Sequence, residues 1–421
     1  MQPISEPGGS IDVSAGMRRL LASEVASNFG SMLSRLAIPW IAALVLEATP
    51  LQMAWLVIAD VAAGALGSLF VGSLVDRTSK KNLMIVSDVA RAVVIGAVAI
   101  LLFMESLSFW VLVLQSAMNG VLAMVFAIAR SAWLAEHVPH AELTVRNSQM
   151  SAASSTSESV AFASGGWIYQ WLGPIFALVI DAVSCVLSAL CLRGLAEAPA
   201  QPDAARTVAG KWMQEAVAGF RLVGSKPVLR SLAVCDVFLA LGFSITGASY
   251  MIFVSRDLAF ETGLLGLIFA TGALGSLAGA AIASRLGNLL GSTNALAVGL
   301  VGAGIGALFI PLAPAAGVIG AALLIGHQIV GDSGSVVAMI HSRTLRQIHS
   351  PAAIRGRVDA ALRGISQLAT LFGALVGGGL ATIYGTRLTL WLAAAIILLA
   401  APVVWGLFRA SDLPETARLP G

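Results

Sequence analysis

Two long apolar runs of the chain are joined by the stretch Gly72-Ser73-Leu74-Val75-Asp76-Arg77-Thr78-Ser79-Lys80-Lys81. Gly72 allows two helices to approach closely, because it has no side chain. Asp76 lies among cations at a helix junction, which suits an ion pair that forms in one conformation and breaks in another. A basic loop on the inner side of a membrane would account for Arg77, Lys80 and Lys81, but not for Gly72 and Asp76 at this spacing.

The composition around this stretch is that of a membrane protein. Of the 421 residues, 57% are hydrophobic and 11% are charged, and the mean hydropathy is +0.88. Soluble domains have about a quarter of their residues charged, and disordered chains are far less apolar, so both classes are excluded. The net charge of +3 is too small to indicate nucleic-acid binding.

The chain shows no pattern of an enzyme or a metal protein. Cys185, Cys191 and Cys235 lie in apolar runs and form no CxxC or zinc-ligand spacing. The five histidines form no HExxH motif, and the glycines near Lys226 lack the order of a phosphate-binding loop. We therefore expect no catalytic residue, no metal and no cofactor.

Twelve runs approach the length of about 20 mostly apolar residues that a membrane-spanning helix needs. They cover residues 20–46, 52–75, 82–103, 109–134, 148–170, 174–195, 230–253, 263–285, 293–312, 316–342, 358–383 and 388–408. The sequence thus predicts an all-α polytopic membrane protein with twelve transmembrane helices. With both termini inside, the outer loops hold only Arg256 and Arg387, so we expect cytoplasmic termini.

The two halves of the chain resemble each other. Gly72 lies at the end of the second span, and Gly279 occupies the matching place in the eighth span, 207 residues later (279 minus 72). Two similar loops place Arg146 and Arg357 at a spacing of 211 residues (357 minus 146). Repeated six-helix halves are typical of transporters, whose substrate site lies between the halves. We therefore predict two pseudo-symmetric six-helix bundles.

A polar segment separates the predicted bundles. Trp212, Ala216 and Phe220 recur within it every four residues, which predicts an amphipathic helix on the inner membrane surface. The expected organisation is a cytoplasmic tail, a bundle, a linker that contains this helix, a second bundle and a cytoplasmic tail, at residues 1–19, 20–195, 196–229, 230–408 and 409–421.

The loop quoted above resembles the signature of the major facilitator superfamily, Gly-x-x-x-Asp-Arg-x-Gly-Arg-Lys, with Ser79 in place of a glycine. Further stretches are similar to the drug and siderophore exporters of that family, which include macrolide efflux pumps and the enterobactin exporter. These stretches are Asn28-Phe29-Gly30, Ser87-Asp88-Val89-Ala90-Arg91, Ala129-Arg130 and Arg355-Gly356-Arg357-Val358. The resemblance, which covers about residues 20 to 410, implies gate and motif roles for Gly72, Asp76, Arg77, Lys80, Lys81, Asp88, Arg91, Arg130 and Arg357.

The resemblance implies the major facilitator fold and secondary active export of a small organic molecule, a siderophore or a drug-like compound. Transport would proceed by alternating access with proton antiport, in a monomer of the bacterial inner membrane. The expected partners are the substrate, protons and lipid, without nucleic acid. The alternatives are a lysophospholipid flippase or an importer on the same fold, and a membrane sensor that does not transport.

Polar side chains form a stripe along the first span. Glu24, Asn28, Ser31 and Arg35 fall on one face at 100° per residue, which predicts the lining of a cavity. Ionisable groups inside a membrane are costly and mark functional sites. Glu24 is our first choice for the proton carrier. The alternative is a helix-end acid that neutralises Arg18 or Arg19.

Two ion pairs follow from depth and spacing. Arg35 and Asp60 lie at comparable depths of antiparallel spans, so they can form a structural pair. Alternatively, Arg35 is a cavity cation that attracts an anionic substrate. Asp88 and Arg91 lie one helical turn apart and can neutralise each other.

The remaining candidates are scattered over the other spans. Asp60, Glu158, Asp236 and Asp332 are further candidates for proton coupling, and Asp181 is a candidate for cavity lining. Candidates for the substrate cavity are Asn28, Ser31, Arg35, Gln115, Asn119, His327 and Gln328. Because histidine titrates near neutrality, His327 and Asp332 together could relay protons.

Overall fold

The chain folds almost entirely into helices. A computed structural model describes residues 13–139, 142–196, 211–351 and 355–410, and it contains no strand within them. The helices are α1 (Val13–Trp40), α2 (Pro50–Arg77), α3 (Lys80–Phe103), α4 (Phe109–His137), α5 (Leu143–Leu172), α6 (Pro174–Arg193), α7 (Lys211–Ser225), α8 (Pro227–Ile252), α9 (Thr262–Leu290), α10 (Ser292–Leu312), α11 (Val318–Gly326), α12 (Asp332–His349), α13 (Arg355–Tyr384) and α14 (Thr386–Ala410).

Three short π-helical turns extend or join these helices. The turn Ile41–Val45 continues α1, the turn Phe253–Asp257 continues α8, and the turn His327–Gly331 joins α11 to α12. The predicted tenth span therefore has three parts, α11, the π turn and α12. Single π turns within a long helix commonly mark functional sites.

Twelve segments cross the bundle. Eleven of them, counting Val318–His349 as one, are long and apolar enough to span a bilayer. The twelfth is α5, which is 30 residues long but rich in serine. Several of its hydroxyls donate to the carbonyl one turn earlier, as Ser157 does to Ala153 at 2.9 Å, so the helix satisfies part of its own polarity. The predicted all-α fold with twelve transmembrane helices is confirmed.

The short helix α7 does not cross the bundle. It packs against α8 and α13, and its Val223 is buried while Phe220 is exposed. A helix is thus present in the predicted linker. The side chains of Trp212 and Ala216, residues 197–210 and most of both predicted tails lie outside the part of the chain that the structure describes.

The two halves repeat each other in backbone detail. Three pairs of loop residues with positive φ occupy equivalent positions in the two halves; these are Glu47 and Ala259, Glu105 and Gly317, and Gly173 and Gly385. The two residues of each pair are 212 positions apart (259 minus 47, 317 minus 105, 385 minus 173), and we use this constant offset to relate the halves. All six lie in loops on one side of the bundle, which we call the distal side. The opposite side, where α1 begins, is called the terminal side.

The helix contacts repeat in the same way. In the first half α1 packs on α5 and α6, α3 packs on α4 and α6, and α2 packs on α4. The equivalent contacts of the second half join α8 to α13 and α14, α10 to α12 and α14, and α9 to α12. The predicted pseudo-symmetry of two six-helix halves is confirmed.

One detail of the predicted repeat is wrong. At the constant offset between the halves, the equivalent of Gly279 is Gly67, not Gly72. Gly67 faces Val121 of α4, and Gly279 faces Ser333 of α12, which is the equivalent of Val121 at the same offset (333 minus 121). Both glycines permit the same helix crossing, and contact across that crossing, rather than distance from the basic loop, defines the equivalence.

The halves contact each other on the distal side. Gly166 of α5 packs on Gly266 of α9, and Gly378 of α13 packs on Leu51 and Ala54 of α2. Arg256 donates to the Ala43 carbonyl, also across the halves. Further hydrogen bonds between the halves join Leu51 to Thr382 and Gln170 to Glu261 and Gly263, also on this side.

The apolar cores show the same asymmetry. On the distal side one core contains residues of both halves, such as Trp40 and Phe253. On the terminal side each half has its own core, with Trp133 in the first and Leu345 in the second. The bundle is therefore closed distally, and its halves separate towards the terminal side.

Candidate functional site

Two cavities lie between the halves. The first-half cavity has a volume of about 520 Å³ and is lined mainly by α1, α2 and α4. The second-half cavity has a volume of about 480 Å³ and is lined by α8, α12 and α13. Val57 of α2 lines both, so the two cavities adjoin, and together we call them the vestibule.

The polar stripe of α1 faces the first-half cavity. Its lining includes Glu24, Asn28, Ser31 and Arg35. The Asn28 amide donates to the Ser154 carbonyl of α5 at 2.8 Å, and the Ser31 hydroxyl donates to the Ser27 carbonyl at 2.5 Å. These contacts hold the stripe against its neighbours, while part of each side chain remains accessible from the cavity.

Glu24 is the best-connected acid of this cavity. It is buried and forms an ion pair with Arg130 of α4. Its other carboxylate oxygen accepts a 2.6 Å hydrogen bond from the Ser154 hydroxyl. Glu24 therefore joins α1, α4 and α5, and it does not serve as a helix-end partner of Arg18 or Arg19.

Arg35 and Asp60 line the same cavity but do not form the pair that their depths suggest. No oxygen of Asp60 lies within 4.0 Å of Arg35 among the ion pairs of the described residues. The Asn119 amide of α4 occupies the carboxylate of Asp60 instead, at 3.4 Å. Arg35 is exposed, and it forms no hydrogen bond in the described part of the chain. Gln115, also of α4, is buried and lines the cavity.

Asp88 and Arg91 form the predicted local pair, at 3.7 Å. Both side chains are buried. Arg91 also donates to Asn119 of α4 and to Ser27 and Ser31 of α1. The pair is therefore part of a polar network inside the first half.

The second-half cavity contains an ion pair of its own. One Arg346 nitrogen lies 2.8 Å from each carboxylate oxygen of Asp236 and 3.0 Å from the Ser342 hydroxyl. Asp236 is related to Glu24 by the constant offset between the halves (236 minus 24) and lies on the equivalent helix. Each half thus has one carboxylate at the same position, paired with an arginine of α4 or α12.

The residues at the π turn bind backbone carbonyls rather than one another in the described part of the chain, and their proton relay stays a prediction. The Nδ1 atom of His327 is 3.0 Å from the Gly306 carbonyl, and the Gln328 amide donates to the Phe269 carbonyl at 3.2 Å. Asp332 faces Gly272 of α9 and has no hydrogen bond within the described residues. None of these three side chains lines either cavity of the vestibule.

Glu158 of α5 is exposed and forms no ion pair in the described part of the chain. It lies seven residues after Ser151, and therefore on the same helix face. Ser151 and Arg130 line a third, smaller cavity of about 310 Å³ at the terminal end of α4 and α5.

The signature loop is described in part. The Ser79 hydroxyl caps α3 by accepting from the Asn82 backbone at 3.2 Å, and Lys80 pairs with Glu136 of α4 at 3.0 Å. Lys81 follows in the first turn of α3. Only the helical backbone is described at Gly72, Asp76 and Arg77. Their gate role therefore stays a prediction. Arg357 lies in the first turn of α13, where Gly219 of α7 approaches its backbone.

Sequence reasoning did not assign two residues that bind predicted carboxylates. Arg346 lines the second-half cavity and binds Asp236, and Ser154 of α5 binds Glu24. Arg346 looked like one more cation of the inner surface, yet the repeat offered a signal: Glu24 and Asp236 are equivalent, so Asp236 needed a cation as well. No group of three or more histidine, cysteine or acidic side chains suitable for a metal occurs among the described residues.

Comparisons with known proteins agree with this architecture. The family model of the Major Facilitator Superfamily matches residues 20–361. The MFS-type transporter YfiS of Bacillus subtilis (strain 168) is 26% identical over 399 residues, 91% of each chain. The multidrug efflux pump Tap of Mycolicibacterium fortuitum is 26% identical over 400 residues, 91% of this chain and 93% of Tap.

Solved structures share the fold. The nucleoside transporter NupG superposes with a TM-score of 0.75 at 13% identity, over 95% of this chain and 100% of NupG. A bacterial homologue of the iron transporter ferroportin, in an inward-facing state, gives a TM-score of 0.75 at 17% identity, over 96% of this chain and 100% of that chain. With the family model matched over most of its length, this multi-pass membrane protein belongs to the major facilitator superfamily.

Proposed function

We propose that the protein is a secondary active exporter of a small, drug-like or siderophore organic molecule, driven by proton antiport. The observation that carries this proposal is the bond of Glu24 to Arg130 and Ser154 at the wall of a cavity between two separable halves. Such a carboxylate can exchange its cation for a proton, and thereby couple proton binding to helix position. The protein would act as a monomer in the bacterial inner membrane.

The charge distribution supports a cytoplasmic terminal side. The described distal loops hold only two cations, Arg256 and Arg387, and both donate to backbone carbonyls. The terminal side holds many more, including Lys80, Arg146 and Arg343. By the positive-inside rule the vestibule then opens to the cytoplasm. The described conformation would be the one that loads substrate.

The size and lining of the vestibule support an organic substrate. Cavities of about 300 to 1,000 Å³ hold drug-sized ligands, and those of the vestibule have about 520 and 480 Å³. Apolar side chains such as Phe243 and Met339 line the vestibule beside guanidinium and amide groups. The similarity to Tap, a multidrug efflux pump, agrees with a substrate of this kind.

Proton antiport requires that the proton and the substrate occupy the transporter in turn. When Glu24 is ionised, the guanidinium of Arg130 holds it across α1 and α4, and this is the state that would carry substrate out. A proton taken up on the distal side neutralises Glu24 and weakens this charge-assisted bond, so that the protein returns without substrate. Release of that proton on the terminal side would restore the pair and the state that loads substrate.

The test is Glu24→Gln in proteoliposomes that carry an imposed proton gradient, with ethidium and a catecholate siderophore as probes. We expect the variant to insert normally but to lose gradient-driven transport of the substrate that the wild type moves. Glu142→Gln is the matched control, because Glu142 also pairs with an arginine, Arg146, but on the exposed end of α5. Transport by Glu24→Gln with full gradient dependence would contradict the role of Glu24.

A further inference from the structure

A second set of ionisable groups is buried inside the first half. Asp88 of α3 and Asp181 of α6 are both 0% exposed, and Arg91 of α3 is 6% exposed. Asp181 comes close to α1 because residue 30 is a glycine: a Cβ at that position would lie 2.7 Å from the Asp181 carboxylate. One guanidinium thus serves two carboxylates in the interface of α1, α3 and α6.

The guanidinium of Arg91 donates hydrogen bonds mainly to uncharged oxygen atoms. It donates to Asn119 Oδ1 at 3.3 Å, to Ser27 Oγ at 3.2 Å and to Ser31 Oγ. Its nearest contact with Asp88 is 3.7 Å, and it does not come within 4.0 Å of Asp181. Neither carboxylate therefore receives a short charge-assisted bond from the one cation beside it.

Apart from Arg91, the donors near the two carboxylates are hydroxyl and thiol groups. The Ser188 and Ser34 hydroxyls face Asp88 and Asp181, but neither forms a hydrogen bond of ordinary geometry. Asp88 Oδ1 accepts from the Ser27 hydroxyl at 3.3 Å. Asp181 Oδ1 accepts from Ser184 at 3.4 Å and from the Cys185 thiol at 3.7 Å. The Oδ2 atom of each acid is buried without a hydrogen-bond partner in the described residues. A buried ionised carboxylate needs a cation and several donors, because its desolvation costs several kcal/mol.

Among the described residues, no other cation compensates the second charge. The charged or titratable groups that face the pair are Arg91 from α3, Asp60 from α2 and Cys185 from α6. From α1 and α4 the near side chains are neutral, namely Ser27, Ser31, Ser34 and Asn119. Asp60 adds a negative charge that Arg35 of α1 partly offsets, so full ionisation would still leave three acids beside two bases.

The second half shows that the fold does not need these charges. The residues equivalent to Asp88, Arg91 and Asp181 at the constant offset between the halves are Leu300, Ala303 and Ala393, all buried. The glycine of the crossing is kept: Gly242, which is equivalent to Gly30, faces Ala393 and Ile397. The same three helices therefore pack well with apolar residues, and the charged set of the first half serves a different purpose.

We propose that Asp88 and Asp181 share one proton and form a buried proton-binding site separate from Glu24. The proton covalently bonds one carboxylate oxygen, so that the site holds one carboxylate, one carboxylic acid and one guanidinium, with no net charge. Arg91 and Asp181 border the first-half cavity, so this cavity is the side from which we expect a proton to reach the fully buried pair. The site does not depend on what is exported or in which direction.

Infrared spectroscopy of the purified full-length protein tests the shared proton without any substrate. At mildly alkaline pH an ordinary aspartate is ionised, so the carbonyl absorption of a neutral carboxylic acid reports a retained proton. We expect Asp88→Asn and Asp181→Asn each to lose the intensity of one carboxylic acid. Either change leaves one carboxylate beside Arg91, a set that is neutral without a proton.

The double variant Asp88→Asn/Asp181→Asn separates a shared proton from two independent ones. A shared proton predicts that it loses the intensity of one carboxylic acid, as each single variant does. A loss of two, or no loss in any variant, would overturn the proposal. Glu142→Gln is the control for an exposed acid and should leave the absorption unchanged.

Wild-type protein with ¹³C-labelled aspartate keeps the test decisive if a variant fails to fold. The label shifts the carbonyl absorption of aspartic acid but not that of glutamic acid. We expect a label-sensitive absorption at mildly alkaline pH. Its absence from the folded wild type would refute a shared proton directly.

Discussion

Arg35 is the accessible cation of the first-half cavity. Arg91 and Arg130 are committed to partners on neighbouring helices, whereas Arg35 is exposed and has no hydrogen bond or ion pair within the described residues. An arginine in this position offers five donors to a planar anion such as a carboxylate. Arg35 is therefore suited to select substrates by charge.

Arg35→Gln should change specificity more than stability. Since Arg35 is exposed and acts on Asp60 without a contact within 4.0 Å, we expect a stability change of at most about 1 kcal/mol. Transport of an anionic dye should fall roughly tenfold, which corresponds to about 1.4 kcal/mol, while transport of a cationic dye of similar size is kept. Efflux assays with both dyes in the same cells provide the measurement. An equal loss for both dyes would show that Arg35 is structural.

At this scale the sequence predicts candidates but not partners. Helical periodicity predicts the stripe of α1, because spacing within one helix is local information. The partner of Glu24 lies on α4 and that of Asp236 on α12, and such pairs depend on how helices rotate and tilt against each other. Arg35 and Asp60 interact by charge without a contact within 4.0 Å, and Asn119, from a third helix, lies 3.4 Å from the Asp60 carboxylate.

Two equivalent glycines govern the contact between the halves. Gly166 of α5 and Gly378 of α13 are related by the constant offset between the halves (378 minus 166), and each packs on the distal end of a helix from the other half. A Cβ at Gly378 would lie 2.7 Å from the Ala54 side chain and 2.9 Å from the Leu51 backbone. Such a contact is too close for an alanine while the distal side stays closed.

Gly378→Ala should therefore favour the conformation that is open on the distal side. Overpacking of this kind costs about 1–3 kcal/mol, enough to change the ratio of two conformations by tenfold or more. The labelling rate of a cysteine introduced at Thr382 of α13 measures distal opening. Gly379→Ala is the matched control, since a Cβ at the next residue would meet nothing within 4 Å. Faster labelling in both variants, or in neither, would contradict the role of Gly378.

Helices are the elements that the sequence predicts best, and α5 is the exception to the usual signal. Eleven spans are recognisable from their length and apolar composition, whereas α5 is a polar helix that crosses the bundle between α1 and α9. Its serines face neighbouring helices and a cavity rather than lipid alone. The π turn at His327–Gly331 could not be predicted, because its five residues are compatible with an ordinary α-helix.

The whole molecule is arranged as two bodies that share a core on one side only. Alternating access requires the distal contacts to break when the terminal ends approach. Ala135 of α4 and Gln347 of α12 are equivalent, exposed residues at the terminal ends of their helices. Glu47 and Ala259 are the equivalent, exposed pair of the distal side.

Spin labels at these two pairs should move in opposite directions. In a background without the three native cysteines, we expect the Ala135–Gln347 distance to shorten and the Glu47–Ala259 distance to lengthen when a proton gradient or a transported substrate is added. Pulsed electron–electron double resonance measures both distances between the spin labels. Changes of the same sign would indicate swelling of the bundle rather than rocking of its halves.

The repeat was predictable as a principle and wrong in one detail. Hydropathy and the two basic loops indicate a duplication, and the Arg146–Arg357 spacing differs by only one from the offset that relates the halves. The match of Gly72 with Gly279 failed because glycines are frequent, and only the helix crossing with Val121 or Ser333 identifies Gly67 as the equivalent. Contacts in three dimensions were needed to align the halves.

The apolar core that both halves share on the distal side affects which conformation the protein adopts without substrate. Opening that end would wet side chains that are now dry, among them Trp40 and Phe253, both 0% exposed, and hydration of apolar surface costs about 25 cal/mol per Å². Separation of the terminal ends exposes less apolar surface, because each half has its own apolar core on that side. In an exporter of the proposed kind, the substrate-free protein would therefore rest with the vestibule open on the terminal side, and substrate binding would supply the free energy that opens the distal side.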